Sequence, residues 1–200
     1  MSKTNGLVPK SMIVNLRELH RLTGNQEGAQ RLAWTETWNN ARTWLLNLLK
    51  EIPVKTETDQ AGNIWATLEG DSPQALIIGS HIDSVPNGGW LDGCLGVLAG
   101  LEVLRRLSKL GKPPITIRLV AWAEEEGTQF GLSLFTCNAV TGNFNPELLR
   151  KVIDGKGNHL SDVIGQWGVD LDQAALASQQ LKNGAAYLEL HIEQGPVLES

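Results

Sequence analysis

Ala75-Leu76-Ile77-Ile78-Gly79 runs straight into Ser80-His81-Ile82-Asp83. An uninterrupted apolar run of this length predicts a strand buried on both faces, as found inside an α/β sheet. The residues behind it place an imidazole and a carboxylate at the strand's end. The arrangement recurs twice. A second buried strand is expected over 115–123, ending in Glu124-Glu125-Glu126-Gly127, and a third over 187–192, in the run Glu189-Leu190-His191-Ile192-Glu193-Gln194-Gly195. Side chains at the ends of neighbouring strands can converge although they lie far apart along the chain.

Helical periodicity fills the intervals. Residues 11–22 place Met12, Leu16, Leu19 and Leu22 on one face, with His20 at the surface or boundary. Residues 35–51 carry a stripe of Trp38, Ala41, Trp44, Leu45, Leu48 and Leu49, and 93–110 one of Val97, Leu98, Leu101, Leu104 and Leu107. Short strands are expected at 54–58 and 64–68 around the turn Asp59–Asn63, and shorter helices at 146–154, 160–167 and 171–181. Strands alternating with helices predict an α/β architecture, a mixed β-sheet flanked by helices.

The chain has 200 residues, a hydrophobic fraction of 42% and a formal net charge of −5. That is enough apolar material for a core, and the acidic balance argues against a nucleic-acid partner. No apolar run has the length of a membrane span, and Met1 to Lys10 lacks the apolar centre of a signal peptide, so a cytoplasmic location without membrane contact is expected. Cys94 and Cys137 form no C-x-x-C pair and read as reduced thiols.

The three strand ends offer two imidazoles, several carboxylates and no paired thiolates. Such a donor set suits zinc, manganese or cobalt in a hydrolytic site. Asp83, two residues after His81, is placed to hold that ring by its other nitrogen. Asp92, after Gly88-Gly89 and before Gly93, reads equally well as a carboxylate bridging two cations or as a helix N-cap. Three consecutive glutamates are commonly a solvated face. Here they end a buried strand, where one could bind a cation and its neighbour carry a proton. A lone histidine near a strand end is usually structural, but the company of Glu189, Glu193 and Gln194 raises the ligand reading for His191.

At these residues the chain resembles the M20 metallopeptidase superfamily, and within it the hydantoinase/carbamoylase branch. Gly79–Gly96, Glu124–Gly131 and Glu189–Gly195 carry the resemblance. It implies two divalent metal ions, zinc or else manganese or cobalt. His81, Asp92, Glu126 and His191 would be metal ligands, Asp92 bridging both ions. Glu125 would be the general base and then acid, Asp83 would orient His81, and Gln194 would touch the substrate. The implied activity is hydrolysis of a non-peptide linear amide C–N bond, with N-carbamoyl-L-amino acids as the leading substrates. Allantoate, or peptidase or aminoacylase specificity, is the alternative. Gln129 stands where this branch carries an arginine. The resemblance also implies that residues 1–200 are the N-terminal part of a catalytic domain. The lid or dimerisation domain of a homodimeric family, and a further histidine ligand, would be missing. A catalytically silent fragment is the competing expectation.

Overall fold

The computed structural model describes residues 9–199. Its centre is one sheet of five strands, β1 (Lys55–Thr58), β2 (Ile64–Leu68), β3 (Ser72–His81), β4 (Ile115–Trp122) and β5 (Gly184–Leu188), in the order β1-β2-β4-β3-β5. β1, β2 and β4 pair antiparallel, whereas β3 pairs parallel with β4 on one side and β5 on the other. The expected mixed sheet is therefore present. Its three parallel strands, β4, β3 and β5, end side by side, and the polar motifs follow those ends.

Strand alternation divides the core between the two faces. Ile64, Ala66, Leu68, Ile78, Leu119 and Ala121 face α1 (Pro9–Thr23), α2 (Glu36–Leu49) and α3 (Cys94–Leu107). Trp65, Ile77, Val120 and Trp122 face α4 (Phe135–Thr141), α6 (Leu160–Gly165) and the 3-10 helix Ala174–Leu181. α3 packs close beside β3 because it carries Gly96. A methyl group there would lie 2.7 Å from Ser80 Cβ and 2.6 Å from the Leu190 carbonyl oxygen.

Several expectations need correction. The last strand begins at Gly184 and leaves the sheet at Leu188, and all five of its residues are exposed. It is an edge strand; among the described residues nothing pairs with its outer side. Leu22 is 46% exposed, because the buried face of α1 turns through Asn15, Leu16, Leu19 and Thr23. The helix foreseen over 146–154 is one turn, α5 (Pro146–Leu149), capped by the Asn145 side chain; Asp154 then begins a tight loop. Of 171–181, only Ala174–Leu181 is helical, and it is a 3-10 helix. α4 was not foreseen. Its sequence, FTCNAVT, has weak helix propensity, and burial of Phe135, Ala139 and Val140 stabilises it instead.

Candidate metal centre

His81 is the last residue of β3 and is buried. Its Nδ1–H points at the backbone carbonyl of Asp83, 3.1 Å away, with Asp83 Oδ1 at 3.3 Å. A proton on Nδ1 leaves Nε2 as the metal-binding nitrogen of the neutral ring. Asp83 has a second task. Its Oδ2 accepts the backbone N–H groups of Glu125 and Glu126, each at 3.1 Å. One carboxylate therefore fixes the end of β3 against the turn that follows β4.

Asp92 is not a helix cap. Gly93 takes the capping position of α3 and no side-chain cap is present. Asp92 Oδ1 instead lies 3.8 Å from His81 Nε2 and 3.2 Å from His191 Nε2. Its Oδ2 accepts from Gln194 Nε2. The two imidazoles are nearly parallel, with centroids 5.8 Å apart. His191 is exposed, and its Nδ1 lies 2.7 Å from the Ile192 carbonyl, so its Nε2 also faces Asp92. Gly93 makes the approach possible. It sits at φ +62, and a Cβ there would lie 2.5 Å from three atoms of the His81 ring.

The glutamates are not a solvated run. Glu124 is buried and accepts from Trp34 Nε1, while Glu125 and Glu126 are half-buried. Glu125 Oε2 lies 3.7 Å from His81 Nε2. Burial pushes the Glu124 carboxyl up to about 8, against the opposing Trp34 hydrogen bond. Burial also raises Glu125 and Glu126; His81 counteracts it and the neighbouring carboxylates reinforce it. For His81, burial acts downward, but the hydrogen bond and charge of Asp83, with Glu125 and Glu126, hold it up at about 9.

These residues fit a divalent cation. One ligand atom each from His81, Asp92 and His191 can be chosen within 4.8 Å of one another, and so can one each from His81, Glu125 and Glu126. Asp92 Oδ1 and Glu126 Oε1 are buried without a hydrogen bond. An imidazole and carboxylate donor set of this kind suits zinc, manganese or cobalt.

Each residue expected at the site thus lies at one end of the sheet: His81, Asp83, Asp92, Glu125, Glu126, His191 and Gln194. The parts played by others about the site were not foreseen. Glu189 accepts from Ser80 Oγ and, at 2.7 Å, from the Tyr187 hydroxyl, and so anchors the chain leaving β5. Asn63 accepts the Ala123 N–H at 2.9 Å just before the glutamates, and is itself tied to Asp59. Arg31 is fully buried behind the loop that carries His81. A buried arginine outside any regular element gives no periodic signal in the sequence. The thiols are reduced, Cys94 buried and Cys137 partly so. Among the described residues no helix is long and apolar enough to cross a membrane.

A family profile described as Peptidase family M28 matches residues 63–146, the stretch holding His81, Asp92 and the glutamates. An N-carbamoyl-L-amino acid amidohydrolase of Geobacillus stearothermophilus is 38% identical over 177 residues, covering 86% of this chain and 42% of the relative. An allantoate amidohydrolase of Escherichia coli K12 is 37% identical, with coverage of 86% and 42%. The crystal structure of an amidase of the hydantoinase/carbamoylase family from Burkholderia multivorans superposes with a TM-score of 0.82 at 30% identity, covering 96% of this chain and 47% of that one. The chain thus spans about half the length of the relatives it matches. Sequence and fold agree along nearly all of it, and by that agreement it belongs to the hydantoinase/carbamoylase family.

Proposed function

We infer that this chain carries the metal-binding half-site of an amidohydrolase acting on a non-peptide C–N bond, with N-carbamoyl-L-amino acids as the leading substrates. One observation carries the reading: His81, Asp92, Glu125, Glu126 and His191 meet at the ends of three parallel strands. The relatives named for N-carbamoyl amino acids, allantoate and ureidoglycolate all bear names of ureido or carbamoyl chemistry. His81, Asp92, Glu126 and His191 would hold two divalent ions, with Asp92 shared between them. Bound there, the ions would polarise the scissile carbonyl and acidify water.

Glu125 is the proton carrier in this reading. Its carboxylate is half-buried and shifted toward the protonated form, a useful state for a group that must take a proton and return it. It would accept the proton of the attacking water as the new C–O bond forms. It would return that proton to the leaving nitrogen as the C–N bond breaks. Asp83 holds the His81 ring and, through two amide hydrogen bonds, the backbone of Glu125 and Glu126. Gln194, which donates to Asp92, would release that contact to meet the substrate's carbamoyl end. A cavity of about 340 Å³ opens beside Glu125, walled by Trp122, Leu134, Val140 and Tyr187, and would take an apolar side chain.

A second reading, cation binding without turnover, is favoured by the exposed position of His191 and Gln194 on chain that has already left an edge strand. Both readings are tested together. Metal content is measured after dialysis, and N-carbamoyl-L-amino acids, allantoate and a dipeptide are assayed with Zn²⁺, Mn²⁺ or Co²⁺. Two retained ions with turnover, cut by about 10²–10⁴-fold in Glu125→Gln with metal content intact, supports the hydrolase. Metal without turnover supports the second reading, and no retained metal defeats both.

A further inference from the structure

Arg31 lies in irregular chain between α1 and α2 and has no exposed surface. Its guanidinium spreads over three segments. Nε–H donates to the Ile82 carbonyl at 2.7 Å, Nη2–H to Cys94 Sγ at 3.0 Å, and Nη1–H to Thr23 Oγ1 at 3.3 Å. Ile82 is the residue between His81 and Asp83, and Cys94 begins α3 two residues after Asp92. The Arg31 backbone joins the same loop: its N–H donates to Ser84 Oγ at 3.0 Å, and its carbonyl accepts the Ser84 N–H at 2.9 Å. Farther along, Ala29 and Gly88 exchange backbone hydrogen bonds of 2.9 and 3.1 Å.

All three acceptors of the guanidinium are uncharged. A cation removed from water without a direct counter-ion costs several kcal/mol, so a merely structural arginine is poorly suited to this place. The carboxylates that share its surroundings belong to the acidic cluster. The Cys94 thiol, against which Arg31 lies, is pushed up first by burial, and the charges of Arg31, Asp83 and Asp92 all act on it.

We propose that Arg31 is the positioning residue of the candidate metal centre: its planar fork locks the His81–Asp83 loop to the start of α3, and so sets the distance between His81 and Asp92. The proposal rests on the metal reading for its purpose, but the locking can be seen without metal. A lysine keeps the charge and loses the fork, so it cannot hold Ile82 and Cys94 in fixed directions at once. Arg31→Lys therefore separates geometry from charge. Thr23→Val is the control, since it cuts only the contact with α1.

The test begins with the imidazole C–H signals of the metal-free protein in NMR. In Arg31→Lys the His81 signals should shift or broaden beyond the line width, while those of His159, in the loop before α6, stay in place. In Thr23→Val both should stay in place, even if the melting temperature falls. Co²⁺ is then titrated by visible absorption. Arg31→Lys should bind about 10–100-fold more weakly with an altered d–d spectrum, as when a group supporting a ligand is lost. Thr23→Val should stay close to wild type. Should Arg31→Lys not fold, Cys94→Ala, which removes one acceptor of the fork, must displace the His81 signals in its place. Unmoved His81 signals in the folded variant overturn the proposal, as does an equal displacement in Thr23→Val. If wild type takes up no Co²⁺, the metal reading fails alone, and the metal-free spectra still decide the role of Arg31.

Discussion

Replacing Gly93 by alanine adds one methyl group at the tightest point of the candidate centre. The new Cβ would stand 2.5 Å from Cγ, Cδ2 and Nε2 of His81, where ordinary contact begins at 3.4 Å. Relief requires a displacement of about 0.9 Å, near twice the ~0.5 Å within which a functional constellation must be held. The ring has little freedom to move away, because His81 is 1% exposed and its Nδ1 is held by Asp83. The backbone adds a second cost. A non-glycine residue at φ +62 is strained by roughly 1–3 kcal/mol. For a protein of this size that corresponds to a fall in Tm of roughly 2–12 °C.

Gly131→Ala separates the two effects. Gly131 has nearly the same φ, +66, and open space where its Cβ would go. Both variants should therefore melt lower than wild type. Only Gly93→Ala should lose Co²⁺ affinity, by at least about tenfold, read from the visible spectrum during titration against a competing chelator. Gly93→Ala binding Co²⁺ as tightly as Gly131→Ala would refute the reasoning, because His81 could then not be the ligand proposed.

Gln129 Nε2 donates to Asp154 Oδ2 at 3.0 Å, so the expected arginine position still faces a carboxylate. Gln129→Arg should turn this contact into a charge-assisted one and raise Tm, with no change in metal content. Asp154 also accepts from Asn158 and Lys156, and these hydrogen bonds, led by that of the Asn158 side chain, hold its carboxyl well below the usual range. A lowered folded-state pKa gives stability that is complete above about 3.9, the unfolded value, and drains away as pH falls further. Asp154→Asn should flatten the acid limb of thermal melts taken between pH 7 and 3. Glu124 has the opposite sign: its folded-state value, about 8, lies above the unfolded one, so metal-free protein should lose stability as pH rises from about 4 toward 8. Trp34→Phe removes the donor to that buried carboxyl and should cost about 1–3 kcal/mol, with a steeper loss toward high pH.

What the sequence disclosed follows from how each residue is held. Apolar runs such as 75–79 and 115–123 end in polar residues, and the helices between them repeat along their own length. Strand ends and ligand candidates were therefore visible locally. Asp92 was ambiguous because a carboxylate before a helix serves equally as cap or ligand, and only Gly93 in the capping position settles the first use. Arg31, Asn63 and Trp34 were silent because their partners lie in other segments and include main-chain groups. The exposure of β5 was also beyond reach. An edge strand and a central one share the same apolar pattern, and burial depends on what lies beside them.

Hydrogen-bond accounting then separates the carboxylates, which the sequence presents as one acidic crowd. Both oxygens of Glu189 are used, by Ser80 and Tyr187, which makes it an anchor. Asp83 Oδ2 is filled by two amides, while its Oδ1 is buried without a hydrogen bond and stands 3.3 Å from His81 Nδ1, so it fixes its neighbours. Glu124 is deeply buried, with burial favouring its neutral form, and it turns toward Trp34. Asp92 Oδ1 is buried without a hydrogen bond, as are Asp83 Oδ1 and Glu124 Oε1, but it lies against the Nε2 atoms of both imidazoles, 3.8 Å from His81 and 3.2 Å from His191. Glu126 Oε1 is likewise buried and lacks a hydrogen bond. Buried carboxylate oxygens within each other's electrostatic reach are costly unless a positive charge joins them. A cation placed among His81, Asp92, Glu126 and His191 would answer the unmet demand of both oxygens, whereas one placed at Glu189 would have to break hydrogen bonds already made, and Asp83 Oδ1 already faces His81 Nδ1. That asymmetry, rather than the number of acidic residues, is what supports the proposal that these four hold the metal.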